Sequence, residues 1–194
     1  MTPTLTPAAR VGDSKPYRVP RAGAPIDLHL DGNEGARPPA ALLDAPALRY
    51  PDALRRYAKP EALEATLAER HGVAPAQVIV TAGGDDAIDR LCKAALEPGR
   101  RALLPVPGFE MIGRYAELAG GAVERIHWPE GPWPLEAVLD RVGPDVGLVA
   151  MVSPNNPTGQ VATAAQLTAL SEALTHGVVL LDHAYVEFAA QDLT

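Results

Sequence analysis

Cysteine is almost absent from this chain: its 194 residues hold one, Cys92. A disulfide framework and a thiolate metal site each need several sulfurs, so both are excluded, and the compartment reads as reducing. Lysine is scarce too, with only Lys15, Lys59 and Lys93. No apolar run approaches the roughly 18 residues of a membrane span. Residues 1–25 are rich in Pro, Ala and Arg but lack an apolar h-region, so they read as an extended arm and not as a signal peptide. No membrane segment is expected and the address reads as cytoplasmic. Positive charge is in deficit: a net charge of -7 with dispersed basic residues argues against nucleic acid as a partner.

What remains is ordinary for a soluble globular chain, with 47% hydrophobic and 21% charged residues. From about Pro60 onward, amphipathic helical stretches alternate with short β-branched runs, the pattern of an α/β protein with a mostly parallel sheet. Pro60 opens a helix carrying Leu63 and Leu67 on one face, and His71-Gly72 closes it. Val78 to Thr81 reads as a strand. Ile88, Leu91, Cys92 and Ala95 recur at helical spacing, which puts Cys92 in the core, and Pro98-Gly99 breaks that helix. Ala102 to Val106 and Ala122 to Trp128 read as strands around a helix from Phe109 to Ala119. Leu135, Val138, Leu139 and Val142 mark another helix face. Gly147 to Val152 is too continuously apolar to be half exposed and reads as a central strand. Thr163 and Gln166 form a capping box for a helix with Leu167, Leu170 and Leu174 inside, and Val178 to Leu181 is a further buried strand.

In open α/β sheets, ligands collect beyond the carboxyl ends of the strands. Three loops of that kind carry candidate chemistry. Thr81-Ala82-Gly83-Gly84-Asp85 leads from strand to helix and exposes unpaired N–H groups to an anion such as phosphate, or is an ordinary turn capped by Asp85. Ser153-Pro154-Asn155-Asn156-Pro157-Thr158-Gly159 holds amides between prolines that keep the backbone extended, which aims Asn156 at a phenolic oxygen; the alternative is a turn in which Asn bonds its own backbone. Asp182 follows four buried aliphatics, where a lone carboxylate is costly without a partner, and a protonated pyridinium nitrogen is its natural one. Tyr185, three residues on, can reach the same ring oxygen as Asn156. Together these side chains suit pyridoxal 5'-phosphate as cofactor.

The Asn-Asn-Pro-Thr-Gly string, Asp182 to Tyr185, Gly83-Gly84-Asp85 and Arg49-Tyr50-Pro51 resemble the fold-type-I pyridoxal-phosphate aminotransferases, the histidinol-phosphate aminotransferases in particular. The resemblance spans roughly residues 16–188. It implies a three-layer α/β/α large domain with a mostly parallel sheet, incomplete at the C-terminus: residues 1–45 would form an arm and extended segment, and residues 46–194 the incomplete cofactor-binding domain. By the same resemblance, Asn156 and Tyr185 hold the cofactor's ring oxygen, Asp182 its pyridine nitrogen, and Gly83, Gly84 and Asp85 its phosphate. Phe109, in Pro107-Gly108-Phe109, stacks on the ring, where any π face serves; core packing accounts for it equally well. Tyr50 reaches the phosphate of a neighbouring subunit's cofactor, which implies a homodimer with shared sites. Tyr17 belongs to an arm that closes over a phosphorylated amine substrate.

The implied activity is transfer of an amino group from an amine or amino acid to a 2-oxo acid such as 2-oxoglutarate. Two departures bear on subfamily: Asp31-Gly32-Asn33-Glu34-Gly35 stands where Asn-Glu-Asn-Pro is usual, and His183 replaces the usual Glu. No catalytic residue is assigned. The family's Schiff-base lysine follows the next strand, and none of the three lysines here follows such a strand; Lys93 sits in a helix. The chain is therefore expected to be an N-terminal part, inactive alone and prone to instability or aggregation, because the family's next two strands fill the sheet between those near residues 80 and 180. A decarboxylase of phosphorylated amino acids and a non-catalytic binder of the same cofactor are the alternatives. A nucleotide-binding Rossmann domain is disfavoured, since no Gly-x-Gly-x-x-Gly follows a strand.

Overall fold

In this computed structural model, Val11, residues 39–43, Tyr57 and residues 59–194 are described. The described residues after position 38 divide into two compact units, one ending at Val80 and the next starting at Thr81.

In the first unit a helical turn at Ala40–Leu43 is followed by helix α1, Glu61–His71. Gly72 ends α1 with φ at 65°, a left-handed conformation that a residue without Cβ adopts at little cost. Ala68 is the buried residue of this helix, whereas Leu63 is exposed. One correction concerns Val78 to Thr81. Val78 has extended backbone, but the segment pairs with no described strand, and the Val80 N–H donates to Glu64 Oε1 at 2.9 Å where a ladder carbonyl would stand. β-propensity describes fit to a neighbouring strand, and without one the segment stays a connector, with Ile79 exposed.

The second unit alternates helix and strand: α2 (Gly84–Ala95), β1 (Arg101–Val106), α3 (Glu110–Leu118), β2 (Ala122–His127), α4 (Leu135–Leu139), β3 (Val146–Val152), α5 (Ala164–Ala173) and β4 (Val178–Asp182). The four strands form one parallel sheet in the order β2-β1-β3-β4. All seven residues of β3 are buried, as its unbroken apolar sequence requires of a strand covered on both faces. On one face Ile88 and Cys92 of α2 and Ile112 and Ala116 of α3 pack with Leu104, Leu148, Ala150 and Leu180. On the other, Val138 and Leu170 pack with Leu103, Val149, Met151 and the two tryptophans, Trp128 and Trp133. The result is helix, sheet, helix in three layers. Thr163 caps α5 as its sequence predicts, accepting from Gln166 N at 3.2 Å while Gln166 Oε1 accepts from Thr163 N at 2.9 Å.

The direction of α2 matters for the site. A Cβ on Gly147 would lie 2.5 Å from the Ala95 carbonyl oxygen, so the end of α2 abuts the start of β3. A helix of 12 residues runs about 18 Å. Its first turn therefore lies toward the carboxyl ends of the strands. At the opposite, amino end, Arg101 bonds Asp145 at 2.5 Å and also pairs with Glu124, which Arg141 meets at 3.0 Å. Among the described residues no helix is long and apolar enough to cross a membrane.

Cys92 is fully buried, and burial pushes its thiol from 9.0 up to about 11. Between those values the unfolded chain gives up a proton that the folded chain keeps, so stability falls as pH rises across that window. Urea titrations at pH 8 and pH 10.5 are expected to show a larger alkaline loss for the wild type than for Cys92→Ala, whose loss reports the remaining groups.

Candidate functional site

The site is assembled at the carboxyl ends of β1, β3 and β4. The ladder sets Val152 opposite Asp182, and the Ser153 N–H donates to the Asp182 carbonyl at 2.9 Å, one residue beyond β3. The chain then turns through Ser153 to Gly159. Ser153, at 4% exposure, accepts the Ala162 N–H on its Oγ at 3.0 Å, which ties the end of the loop back to its beginning. The Asn156–Pro157 and Ser153–Pro154 peptides are cis, as is Val106–Pro107.

The two adjacent asparagines differ in what they do. Asn155 is buried at 5% exposure; its Nδ2 donates to the Pro107 carbonyl at 3.0 Å and to Thr158 Oγ1 at 2.8 Å. Its backbone is bonded as well, N–H to Gln160 O at 2.8 Å and carbonyl to Gly159 N at 2.7 Å. Asn155 thus joins the loop after β3 to the loop after β1 and takes the backbone-bonding role. Asn156 is half-buried, and its amide bonds no other described residue. Sequence reasoning singled out Asn156 and missed Asn155; the neighbouring prolines and Thr158 mark a turn but do not say which amide it consumes.

Asn156 and Tyr185 line one cleft of about 250 Å³, with Pro154, Asn155, Pro157, Gly159 and Phe188 completing it. Tyr185 precedes a 3-10 turn at Val186–Phe188, and its ring lies 6.4 Å from that of Phe188 at 50°. Phe188, missed by sequence reasoning, is exposed at 84%. The lining of the cleft combines polar Asn155, Asn156 and Tyr185 with apolar Pro154, Pro157 and Phe188.

The other described candidates do not line this cleft. Asp182 ends β4 and is half-buried; its Oδ1 accepts from the Ala184 N–H at 2.9 Å, which leaves Oδ2 for a further partner. Gly83 precedes α2 with φ at 84°, a conformation open to glycine, and no side chain caps the helix there. The first-turn N–H groups of α2, at Gly84 and Asp85, consequently point outward as donors. Asp85 is exposed and does not cap the turn: Asp86 does, accepting the Ala82 N–H on Oδ2 at 3.0 Å. The Arg90 hydrogen bond, with that of Ala82, holds the Asp86 carboxyl below its usual range. Phe109 immediately precedes α3 and packs against the cluster of Ile88, Leu104 and Ile112, so core contact is what its ring shows. Lys93 pairs with Asp89 at 2.5 Å on the exposed side of α2. Tyr17 and Tyr50 lie outside the described residues.

The sequence model described as "Aminotransferase class I and II" matches residues 27–194. Histidinol-phosphate aminotransferase of Cronobacter sakazakii is 35% identical over 182 residues, 91% of this chain and 49% of that protein. The enzyme of the same name from Rhodospirillum rubrum is 33% identical over 207 residues, 99% of this chain and 54% of its own length. Among solved structures, histidinol-phosphate aminotransferase from Sinorhizobium meliloti in complex with pyridoxal-5'-phosphate superposes with a TM-score of 0.65 at 27% identity, over 73% of this chain and 40% of that one. The chain spans about half the length of the curated relatives it matches.

Asn155→Ala deletes both side-chain bonds and leaves the Pro107 carbonyl to find another donor. It is expected to cost about 1–3 kcal/mol in urea denaturation, whereas Asn156→Ala should change stability by less than about 0.5 kcal/mol.

Proposed function

The chain belongs to the class I and II aminotransferases, and from that membership we propose that it is the cofactor-binding part of a pyridoxal-phosphate-dependent transaminase. Its donor would be a histidinol-phosphate-like amine or amino acid and its acceptor a 2-oxo acid such as 2-oxoglutarate. The observation that carries the reading is the pairing of Asn156 and Tyr185 in one cleft beside the strand end that bears Asp182. The donor set also fits: an uncommitted amide, a phenol, a carboxylate with one oxygen free, and outward N–H groups at a helix start.

Pyridoxal phosphate supplies, when bound, an electron sink that eases loss of a proton from the carbon bearing the amine. Asp182 holds a proton on the ring nitrogen, since a carboxylate stabilises the positive charge that such a proton creates. Asn156 Nδ2 and the Tyr185 hydroxyl donate to the ring oxygen and fix the tilt of the ring. The N–H groups of Gly84 and Asp85 take phosphate oxygens, with the Asp85 carboxylate turned to solvent so that it does not oppose them. Phe109 covers the ring from the α3 side. Tyr50 reaches a neighbouring subunit's phosphate in a homodimer with shared sites, and Tyr17 closes over the substrate. Residues 1–45 serve as the arm and residues 46–194 as the cofactor-binding domain.

Titration of the gene product carrying this chain with pyridoxal phosphate, followed by absorbance, tests the reading. Asp182→Ala removes a hydrogen bond between charged groups, which is worth enough to weaken binding by about tenfold to a hundredfold, and it should shift the absorbance of the bound cofactor. Equal affinity and an identical spectrum in the two proteins would sink the proposal. Appearance of an amine product from 2-oxoglutarate with histidinol phosphate as donor, measured on the same preparation, tests the substrate assignment.

A further inference from the structure

Among the described residues one buried side-chain polar atom has no hydrogen-bond partner, Nδ1 of His183. A polar atom kept from both water and protein is a cost that folded chains seldom carry, so its surroundings are informative. Among the described residues the charged atom that approaches it is Oδ1 of Asp192, at 3.6 Å, inside ion-pair range and just beyond a hydrogen bond. The His183 side chain is 13% exposed and that of Asp192 is 58% exposed, so one partner is fixed in the interior and the other arrives from outside.

The segment that brings Asp192 there is itself shaped for the purpose. Asp192 Oδ1 accepts from the Thr194 N–H at 2.9 Å and from Thr194 Oγ1 at 2.6 Å, which curls the segment around the carboxylate. Leu193 packs against the core face formed by Leu103, Val149, Met151 and Leu170. Residues 189–194 thus return to the face of the sheet that Val179 and Leu181 of β4 share. Alternation along β4 turns Asp182 to the opposite face and His183 to this one.

His183 also governs Tyr185. Its carbonyl accepts the Val186 N–H at 3.0 Å, which starts the turn, and the Tyr185 carbonyl accepts the Phe188 N–H at 3.0 Å, which completes it. Whatever fixes the backbone at His183 fixes where Tyr185 enters the cleft. We propose that His183 and Asp192 form a clasp that fastens residues 189–194 across the sheet and makes His183 a positioning residue for Tyr185. A small inward movement of the Asp192 carboxylate converts the 3.6 Å approach into a hydrogen bond from Nδ1–H. Among the described residues no other charged group pairs with His183: Asp182 is bonded to Ala184 N, Glu187 is exposed, and neither Glu172 of α5 nor His176 after it reaches His183, while Asp192 makes a further contact of its own. The link to Tyr185 and the cleft rests on the cofactor reading above, whereas the clasp itself does not.

Hydrogen exchange followed by mass spectrometry on the gene product carrying this chain decides the clasp. His183→Ala is expected to speed exchange at residues 189–194 about tenfold or more while β3 is unchanged; His183→Asn, whose amide nitrogen falls near Nδ1, should restore slow exchange. Asp192→Asn, at an exposed position where misfolding is not at issue, should act in the direction of His183→Ala. Wild-type exchange rates in both His183→Ala and Asp192→Asn would overturn the proposal, as would an acceleration that includes β3 equally. A second arm reads positioning: pyridoxal phosphate should bind His183→Ala at least threefold more weakly than wild type, with His183→Asn close to wild type. If the wild type binds no cofactor, the functional reading fails and the exchange arm still decides the clasp. If it binds but residues 189–194 exchange alike in all proteins, the clasp alone is wrong.

Discussion

A single hydrogen bond sets the geometry on which the rest of the site depends, the donation from Ser153 N–H to the Asp182 carbonyl one residue beyond β3. It extends the parallel ladder between β3 and β4, whose register puts Val152 opposite Asp182. Because side chains alternate along a strand, a slip by one residue would send the Asp182 carboxylate to the far face of the sheet. In the observed register Asp182 shares the face of Leu180, the side on which Ile88 and Cys92 of α2 pack. That is also the side where the first turn of α2 presents its N–H groups. The Asp182 carboxylate and the first-turn N–H groups of α2 therefore lie on one face of one sheet because of backbone pairing.

In the loop after β3 the two asparagines are differently committed. Asn155, buried and bonded through side chain and backbone, holds the loop against Pro107. Asn156 is left uncommitted at the cleft with Tyr185. Such a division is what a precise site requires, since a donor that also had to hold its own backbone could not keep its direction toward a ligand. The ionic cluster of Arg101, Glu124, Arg141 and Asp145 lies at the opposite end of the strands, away from these donors.

Much of this was legible in the chain. The unbroken apolar run at β3 announced a strand covered on both faces, the Thr163 and Gln166 pair announced the start of α5, and the spacing around Cys92 announced the inner face of α2; all three rest on local chemistry and are observed. Val78 to Thr81 was misread because a strand exists only with a partner, and partnership is not a local property. No side chain caps α2, and the turn before it is held by Asp86 and not by Asp85, since two adjacent acids differ in reach and not in type. The roles of Asn155 and Asn156 were undetermined for a similar reason, because identical neighbours are told apart by the bend of the backbone between prolines. Phe188 gave no signal, as a phenylalanine after a turn reads as core.

The family resemblance in Asn-Asn-Pro-Thr-Gly and Asp182 to Tyr185 agrees with the match over residues 27–194 and with the superposition on aminotransferase structures. What the account adds is a physical order: register first, then loop, then free donors. Its central claim is that the carboxylate of Asp182 keeps a proton on the pyridine nitrogen of bound pyridoxal phosphate. The most direct measurement is the nitrogen-15 chemical shift of isotopically labelled cofactor bound to the gene product carrying this chain, compared with the same cofactor bound to Asp182→Asn. The account predicts a protonated-nitrogen shift in the wild type and a neutral-pyridine shift in the variant at the same pH; a neutral-pyridine shift in the wild type would contradict it.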